Sequence, residues 1–523
     1  MVTPSSFLRP EICDIGGRRE LFVDDYLIDE IRGAEFRLHH PVRREVVLRT
    51  DAPWENSNSS AYHSVVQGPD GRFRFYYSAG MRSVALCDPP SDAVVFGKGW
   101  ILCVAESDDG IHWSRPAVNR YPEGPNVLLN ADTTEKFAGN RVMPATTAVT
   151  FNTDPAAPPE RRWLMLSAAE GAKEPHRLYL YTSADGLHFD PAAEVPAPLA
   201  VSGNSDSQNT VFYDTVAGCY RIYHRIVDHP ESKECKRFIA GTSTTDFIHF
   251  TEDRLLEYDD DFDFQLYTNA ISPYPRAPHL LMGFPMRYID NGRVWDMSIL
   301  NRPNVEERAS WCHRYLRHGT TSTDTLFMAS RDGLHFTRYP EAFVRPGAET
   351  TNAWAYGDTG LAFGWVITPS VLGHGAPDEL SFYTTCGYRT SGCVEIRRCT
   401  LRLDGFVSLH AGAETARIVT RPLIFEGGNL TLNVSTSAWG RFAVGILDEA
   451  GSPIPGYELE NCYGGSGDSV ELTVRWRKVG GDLRPLAGRP VRLCITLLDG
   501  DLYALRFAPY VPDPKLPPVT GQP

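Results

Sequence analysis

The stretch SDDGIHW at residues 107–113 returns three more times, as SADGLHF at 183–189, TTDFIHF at 244–250 and SRDGLHF at 330–336. Each copy follows a short apolar run: WILCVAES, RLYLYTSA, FIAGTSTT and TLFMAS. Asp-Gly between such runs is a hairpin signal, because a type I′ turn needs positive φ at both central residues. The pattern predicts four hairpins, each closed by an aromatic (Trp113, Phe189, Phe250, Phe336) that packs back on its own sheet. The third copy has Phe247 where the others have Gly. A bulky side chain resists positive φ, so another turn type is expected there.

A decayed fifth copy, RLDGFVSL at 402–409, keeps Asp404 and Gly405. The anchoring aspartates 109, 185, 246, 332 and 404 lie 76, 61, 86 and 72 residues apart, room for a four-stranded sheet and its loops. Self-similarity at this period predicts a β-propeller, and five anchors predict five blades. A pair of β-like runs precedes each anchor, so each blade reads as an inner hairpin followed by an outer one. RRELFVDDYLI at 18–28 is a spare strand, expected to close the ring. The repeated His112, His188, His249 and His335 are read as structural, since equivalent places on different blades lie far apart.

After Leu409 short alternating strands broken by Gly, Asn and Asp turns predict a β-sandwich over 410–510, and a Pro-rich tail follows at 511–523. The fold class is therefore all-β, a five-bladed propeller over 1–409 and then a β-sandwich. A chain of 523 residues is long enough for two such domains. The formal charge of −14 gives no basic footprint, so neither a nucleic acid nor an anionic membrane surface is an expected partner. The eleven cysteines are scattered without CxxC or zinc-ligand spacing, which predicts reduced thiols and no metal cluster. MVTPSSFLRPEICD lacks the basic and apolar regions of a signal peptide, and no apolar run is long enough to span a bilayer, so a cytoplasmic protein is expected.

LFVDDYLID at 21–29, PWE at 53–55, the repeated hairpins and the closing LRLDGFVSL at 401–409 together resemble the furanosidase-type glycoside hydrolases of families 32, 43 and 68, and within them a bacterial group related to family 32. The resemblance covers nearly the whole chain. The Asn-Asp-Pro-Asn-Gly nucleophile motif of family 32 is absent, as are its Arg-Asp-Pro and Glu-Cys motifs in their expected forms. The resemblance implies a funnel on the propeller axis, with carboxylates at the starts of the innermost strands. Glycoside cleavage needs two carboxyl groups flanking the bond, one as acid and one as base or nucleophile.

Acids ahead of each blade's first strand are therefore the candidates. Asp206 lies in a polar knot with Asn204, Ser205, Ser207, Gln208 and Asn209, directly before an apolar strand, and is expected to be the acid. Glu55 follows Trp54, a stacking platform for a sugar ring, and Asp263 precedes the alternating Gln265, Tyr267 and Asn269. Either is the expected partner of Asp206. Glu135, Asp132 and Arg141 in the second blade, Asp261 in the fourth, and Glu349 and Asp358 in the fifth are weaker candidates. His63, Gln208, Asn209, Arg225, Tyr267, Asn269, Arg287, Trp54 and Trp354 are expected to contact substrate, with Tyr356 beside Trp354. Asp24, Asp25 and Asp29 are read as strand-end acids.

These readings predict a glycoside hydrolase acting on a furanoside or small oligosaccharide. It would need no cofactor, though a propeller axis has room for a structural ion. A non-catalytic sugar-binding propeller is the alternative, and a lyase or transglycosidase on the same scaffold is a third. The sequence leaves the oligomeric state open.

Overall fold

Each copy of the repeat forms one hydrogen-bonded turn, and its chemistry is local. Asp109 Oδ1 accepts the backbone N–H groups of Ile111 and His112, both at 2.8 Å, while Oδ2 meets His112 Nδ1 at 2.7 Å. Ser107 Oγ accepts the N–H of Gly110 at 2.8 Å. Asp185, Asp246 and Asp332 repeat the arrangement with His188, His249 and His335. This is an Asx turn, in which the side chain supplies the acceptors. It is not the expected type I′ turn, since only the residue after each Asp has positive φ: Gly110, Gly186 and Gly333 at +75°, +75° and +84°. Phe247 takes φ +60° in the third copy. The turn there is the same, against expectation, and its strain costs about 1–2 kcal/mol.

The computed structural model describes residues 7–514 apart from 56, 58, 59, 81–98, 132–140, 171–176, 197, 198, 202–204, 229–235, 290–296, 307, 310–320, 349, 352, 355–359 and 391. Nearly all regular structure is β. The chain divides into two units: 1–39, 275–277 and 402–523 form one, and 40–274 with 278–401 form the other.

The larger unit holds five antiparallel-based sheets in a propeller-like arrangement. Their inner strands run in chain order, Ser64–Gln67, Ala148–Phe151, Thr210–Asp214, Ser272–Tyr274 and Val366–Thr368. Ser64–Gln67 touches both Ala148–Phe151 and Val366–Thr368, so the first sheet meets the last. The fifth sheet is completed by Val42–Arg49, which pairs antiparallel with Glu395–Arg402. The expected closing strand at 18–28 lies elsewhere. Arg19–Leu21 pairs with Val491–Ala508, and Phe22, Tyr26, Leu27 and Ile28 join a core with Phe425, Leu505 and Phe507 in the smaller unit. That unit is a ten-stranded sheet dominated by two long strands, Asn429–Asp448 and Val491–Ala508. The unit boundary near Arg402 lies close to the expected 409, but residues 1–39 belong with the C-terminal part.

The turns also join the sheets. The Tyr76 hydroxyl of the first sheet donates to the Gly186 carbonyl of the second-sheet turn at 2.9 Å. Tyr223 of the third sheet reaches Gly333 of the fourth at 2.7 Å, and Tyr383 of the fifth reaches Gly110 of the first at 2.7 Å. A Cβ on Gly186 would lie 2.8 Å from the Trp163 ring, so only glycine admits this approach. Register makes Leu166 the counterpart of Tyr76 and Tyr223, because Phe73, Trp163 and Tyr220 sit opposite the Ser or Thr opening each turn and the counterpart is three residues on. Leu166 has no hydroxyl to offer, and the turn it serves carries Phe247. The two side chains share one buried cluster with Leu164, Leu180 and Tyr220. The Phe247 ring packs on Tyr220 in that cluster, centroids 4.4 Å apart.

Two predictions arise here. Phe247→Gly alone will destabilise the protein by about 2–4 kcal/mol, the cost of an aromatic-sized cavity less the relieved strain. Adding Leu166→Tyr will recover at least about 1 kcal/mol of it, and a double-mutant cycle in urea measures that coupling. The second concerns acid. Burial works against ionisation of Asp185, but the backbone N–H groups of His188 and Leu187, the His188 ring and Ser183 outweigh it and pull its pKa to about 2. A depressed folded-state pKa means stability that is present above the unfolded value near 4 and lost as pH falls towards 2. Asp185→Asn will flatten the fall of melting temperature in that window.

Candidate active site

The first residues of the inner strands bring aromatic and charged side chains together. Tyr62, just ahead of Ser64–Gln67, has φ +62° and stacks on Tyr267 with ring centroids 6.2 Å apart and 16° between planes. Tyr267 stacks in turn on Tyr288 at 5.8 Å. Two buried guanidiniums border these rings. Arg225, 4% exposed, lies 5.1 Å from the Tyr267 centroid, and Arg237 lies 5.2 Å from Tyr267 and 4.3 Å from Tyr288. Cation–π attraction holds both in place, and Arg237 Nη1 also donates to Gln265 Oε1 at 2.9 Å.

Asp206 supplies the carboxylate. It forms an ion pair with Arg225, and its side chain keeps 37% exposure while Arg225 is buried beneath. A guanidinium and a carboxylate pair strongly, so Arg225 fixes the position of Asp206. Burial pushes the Tyr62 phenol well above its ordinary pKa, and the neighbouring Tyr267, Tyr388 and Asp206 charge add to the shift. Tyr62 is therefore a neutral hydroxyl facing the carboxylate.

His63 is 1% exposed and packs against Phe75 at 5.3 Å. Burial lowers its pKa to about 3, so the ring is neutral. Neither of its nitrogens, nor Ser207 Oγ, has a hydrogen-bond partner among the described residues. Gln208 Nε2 ties this region across three sheets, donating to the His63 carbonyl at 2.9 Å and the Thr147 carbonyl at 3.0 Å.

The remaining expected residues make the following contacts. Asn209 and Asn269 brace backbone. Asn209 donates to the Ser205 and Ser207 carbonyls and accepts the Arg225 N–H at 2.9 Å, while Asn269 accepts from Thr210 Oγ1 at 2.8 Å and donates to the Tyr223 carbonyl at 3.2 Å. Arg287 is held in a two-pronged pair by Asp324, its cross-strand neighbour. Trp54 donates to Asn126 Oδ1 at 2.9 Å and lies against Gly124. Glu55 is fully buried, gripped by Arg115 at 2.8 and 2.7 Å and by the Tyr77 hydroxyl at 2.5 Å. Asp263 is exposed and pairs with Lys236. No contact joins Glu55 or Asp263 to Asp206 among the described residues. Asp261 is also exposed. Trp354 lies under Arg308 at 5.0 Å and lines a separate cleft. Asp132, Glu135, Asn204, Glu349, Tyr356 and Asp358 fall outside the described residues, as does the Arg141 side chain.

Tyr62, Arg237 and Tyr288 are the site residues the sequence did not single out. The only signal was the pairing of Tyr62 with His63 in an inner strand. No group of three metal-ligating side chains occurs among the described residues, and no helix there is long and apolar enough to cross a membrane.

No family model and no curated protein matches the chain in sequence. Solved structures match in shape. One described as a glycoside hydrolase is 9% identical with a TM-score of 0.43, over 69% of this chain and 92% of its own. A thermostable family-43 glycoside hydrolase is 11% identical with a TM-score of 0.41, over 68% and 94%. An endo-arabinase from Bacteroides thetaiotaomicron is 9% identical with a TM-score of 0.38, over 70% and 97%. At this identity and overlap no residue's role is carried across.

Proposed function

We propose that the chain is a glycoside hydrolase of the five-bladed propeller type. The five sheets are its blades, and the two long strands of the smaller unit form the core of a β-sandwich. The substrate is a furanoside or small oligosaccharide. The observation that carries this reading is Asp206: a half-open carboxylate paired with a buried guanidinium that itself lies against the ring of Tyr267, the middle of a tyrosine stack. Stacked aromatic faces suit the apolar face of a sugar, and the carboxylate suits its reacting carbon. Asp206 acts as base or nucleophile. Asp263, exposed two residues ahead of Gln265, is the second carboxylate, and Glu55 takes no part because Arg115 saturates it. Tyr62, His63 and Arg237 orient the sugar.

Among the described residues no second open carboxylate is in contact with Asp206, which favours one other reading, a sugar-binding propeller without catalysis. The experiment is hydrolysis of a panel of furanosides and pyranosides by the wild type, Asp206→Asn and Asp263→Asn, with product analysis. Hydrolysis lost in Asp206→Asn supports the proposal. Binding without turnover on any sugar overturns it in favour of the binding module. An unsaturated or lengthened product overturns it in favour of a lyase or transglycosidase.

A further inference from the structure

Three consecutive buried side chains, Gln208, Asn209 and Thr210, join the starts of the inner strands. Gln208 Nε2 donates to the His63 carbonyl, ahead of the first sheet, at 2.9 Å and to the Thr147 carbonyl, ahead of the second, at 3.0 Å. Thr210 opens the inner strand of the third sheet, and its Oγ1 donates to Asn269 Oδ1, ahead of the fourth, at 2.8 Å. The His63 carbonyl also accepts the N–H of Phe363, ahead of the fifth, at 2.7 Å. Asn209, between Gln208 and Thr210, turns back on its own sheet. Its Nδ2 donates to the carbonyls of Ser205 at 3.0 Å and Ser207 at 2.6 Å, and its Oδ1 accepts the Arg225 N–H at 2.9 Å. Those three bonds bear on one carboxylate. Ser205 and Ser207 flank Asp206, and Arg225 carries the guanidinium that pairs with it. One side chain thus holds the backbone on both sides of that ion pair, and the residues before and after it tie the segment to the neighbouring sheets.

We infer that Asn209 is a positioning residue for Asp206, anchored to the other sheets through Gln208 and Thr210. The catalytic half of the inference rests on the proposed role of Asp206, whereas the positioning half rests on these hydrogen bonds alone. A reacting group misplaced by about 1 Å loses on the order of a hundredfold in rate, and such groups are kept in place by hydrogen-bonded neighbours on rigid elements. Asn209 acts through Asp206 and Arg225 and not on the sugar. Its loss therefore lowers kcat and leaves KM in place.

The test is steady-state kinetics of Asn209→Ala and Thr210→Val in the full chain, on whichever sugar the wild type turns over, beside Asn152→Ala. Asn152 is as buried as Asn209 and bonds in the same way: it donates to the Arg161 carbonyl at 3.0 Å and the Tyr220 hydroxyl at 3.1 Å and accepts the Asp154 N–H at 3.0 Å, none of them beside Asp206. Expected is a fall in kcat of at least tenfold in Asn209→Ala and severalfold in Thr210→Val, with KM within twofold of the wild type. Asn152→Ala melts at a lower temperature and keeps its kcat. Unchanged kcat in Asn209→Ala, an equal fall in Asn152→Ala, or a rise in KM alone overturns the inference, and unchanged kcat in Thr210→Val overturns the anchoring. Where Asn209→Ala does not fold, Thr210→Val decides, since it removes one bond between sheets and keeps the shape of the side chain. A crystal structure of the folded variant separates this inference from the proposed hydrolase. A wild type that hydrolyses nothing removes the hydrolase, and the structure then judges the positioning: a displaced Asp206–Arg225 pair upholds it, and an undisturbed pair overturns it.

Discussion

Arg115→Met will destabilise the larger unit by about 3–5 kcal/mol, the usual consequence of leaving a buried charge without its partner. Glu55 is fully buried, and the guanidinium meets both of its oxygens. Removing Arg115 leaves the Tyr77 hydroxyl as the carboxylate's side-chain partner among the described residues. Glu55→Leu combined with Arg115→Met will recover most of the loss, because an apolar pair needs no compensating charge. Equal loss in the single and double variants would show that packing, and not charge, holds this corner.

Asp206→Asn will lower kcat/KM at least a hundredfold on whichever sugar is turned over, which corresponds to about 2.7 kcal/mol of transition-state stabilisation. The substitution keeps shape and removes the charge that attacks carbon or takes a proton. The effect should fall on kcat, since the tyrosine stack that holds the sugar stays in place. Tyr267→Ala should do the reverse. It removes the ring shared by Tyr62, Arg225 and Arg237, so KM rises and the positions of both cations are loosened. A variant Asp206→Asn with unchanged kcat would take the chemistry away from this carboxylate.

The repeated turns were legible because their cause is local: Ser, Asp and His within six residues make every hydrogen bond the turn needs. Their type was misread because an Asp-Gly pair serves two turn geometries and the side-chain bonds decide between them. The strand that completes the fifth sheet was missed for a different reason. VRREVVLR at 42–49 is charged, as an edge strand should be, and so reads as surface. The segment at 18–28 is rich in large apolar residues and reads as interior, which it is, but of the other unit. Asp206 could be found as a polar knot before an apolar strand. Tyr62 could not, because its place depends on a positive φ and on rings from a distant sheet. Glu55 looked free because Arg115 lies sixty residues away.

A chain built from similar modules faces an assembly problem: each module must find its own neighbour among several near copies. Three of the contacts described between sheets use a tyrosine hydroxyl and a glycine carbonyl, and these are interchangeable. The buried cluster that Leu166 and Phe247 share is not. Shift the order by one place, and the Phe ring meets a tyrosine while a glycine turn faces Leu166, one seam overfull and the other empty. The cluster of Leu166 and Phe247 thus sets the second and third sheets apart from the pairs joined by a tyrosine and a glycine, so a module placed out of order would not meet the same partner.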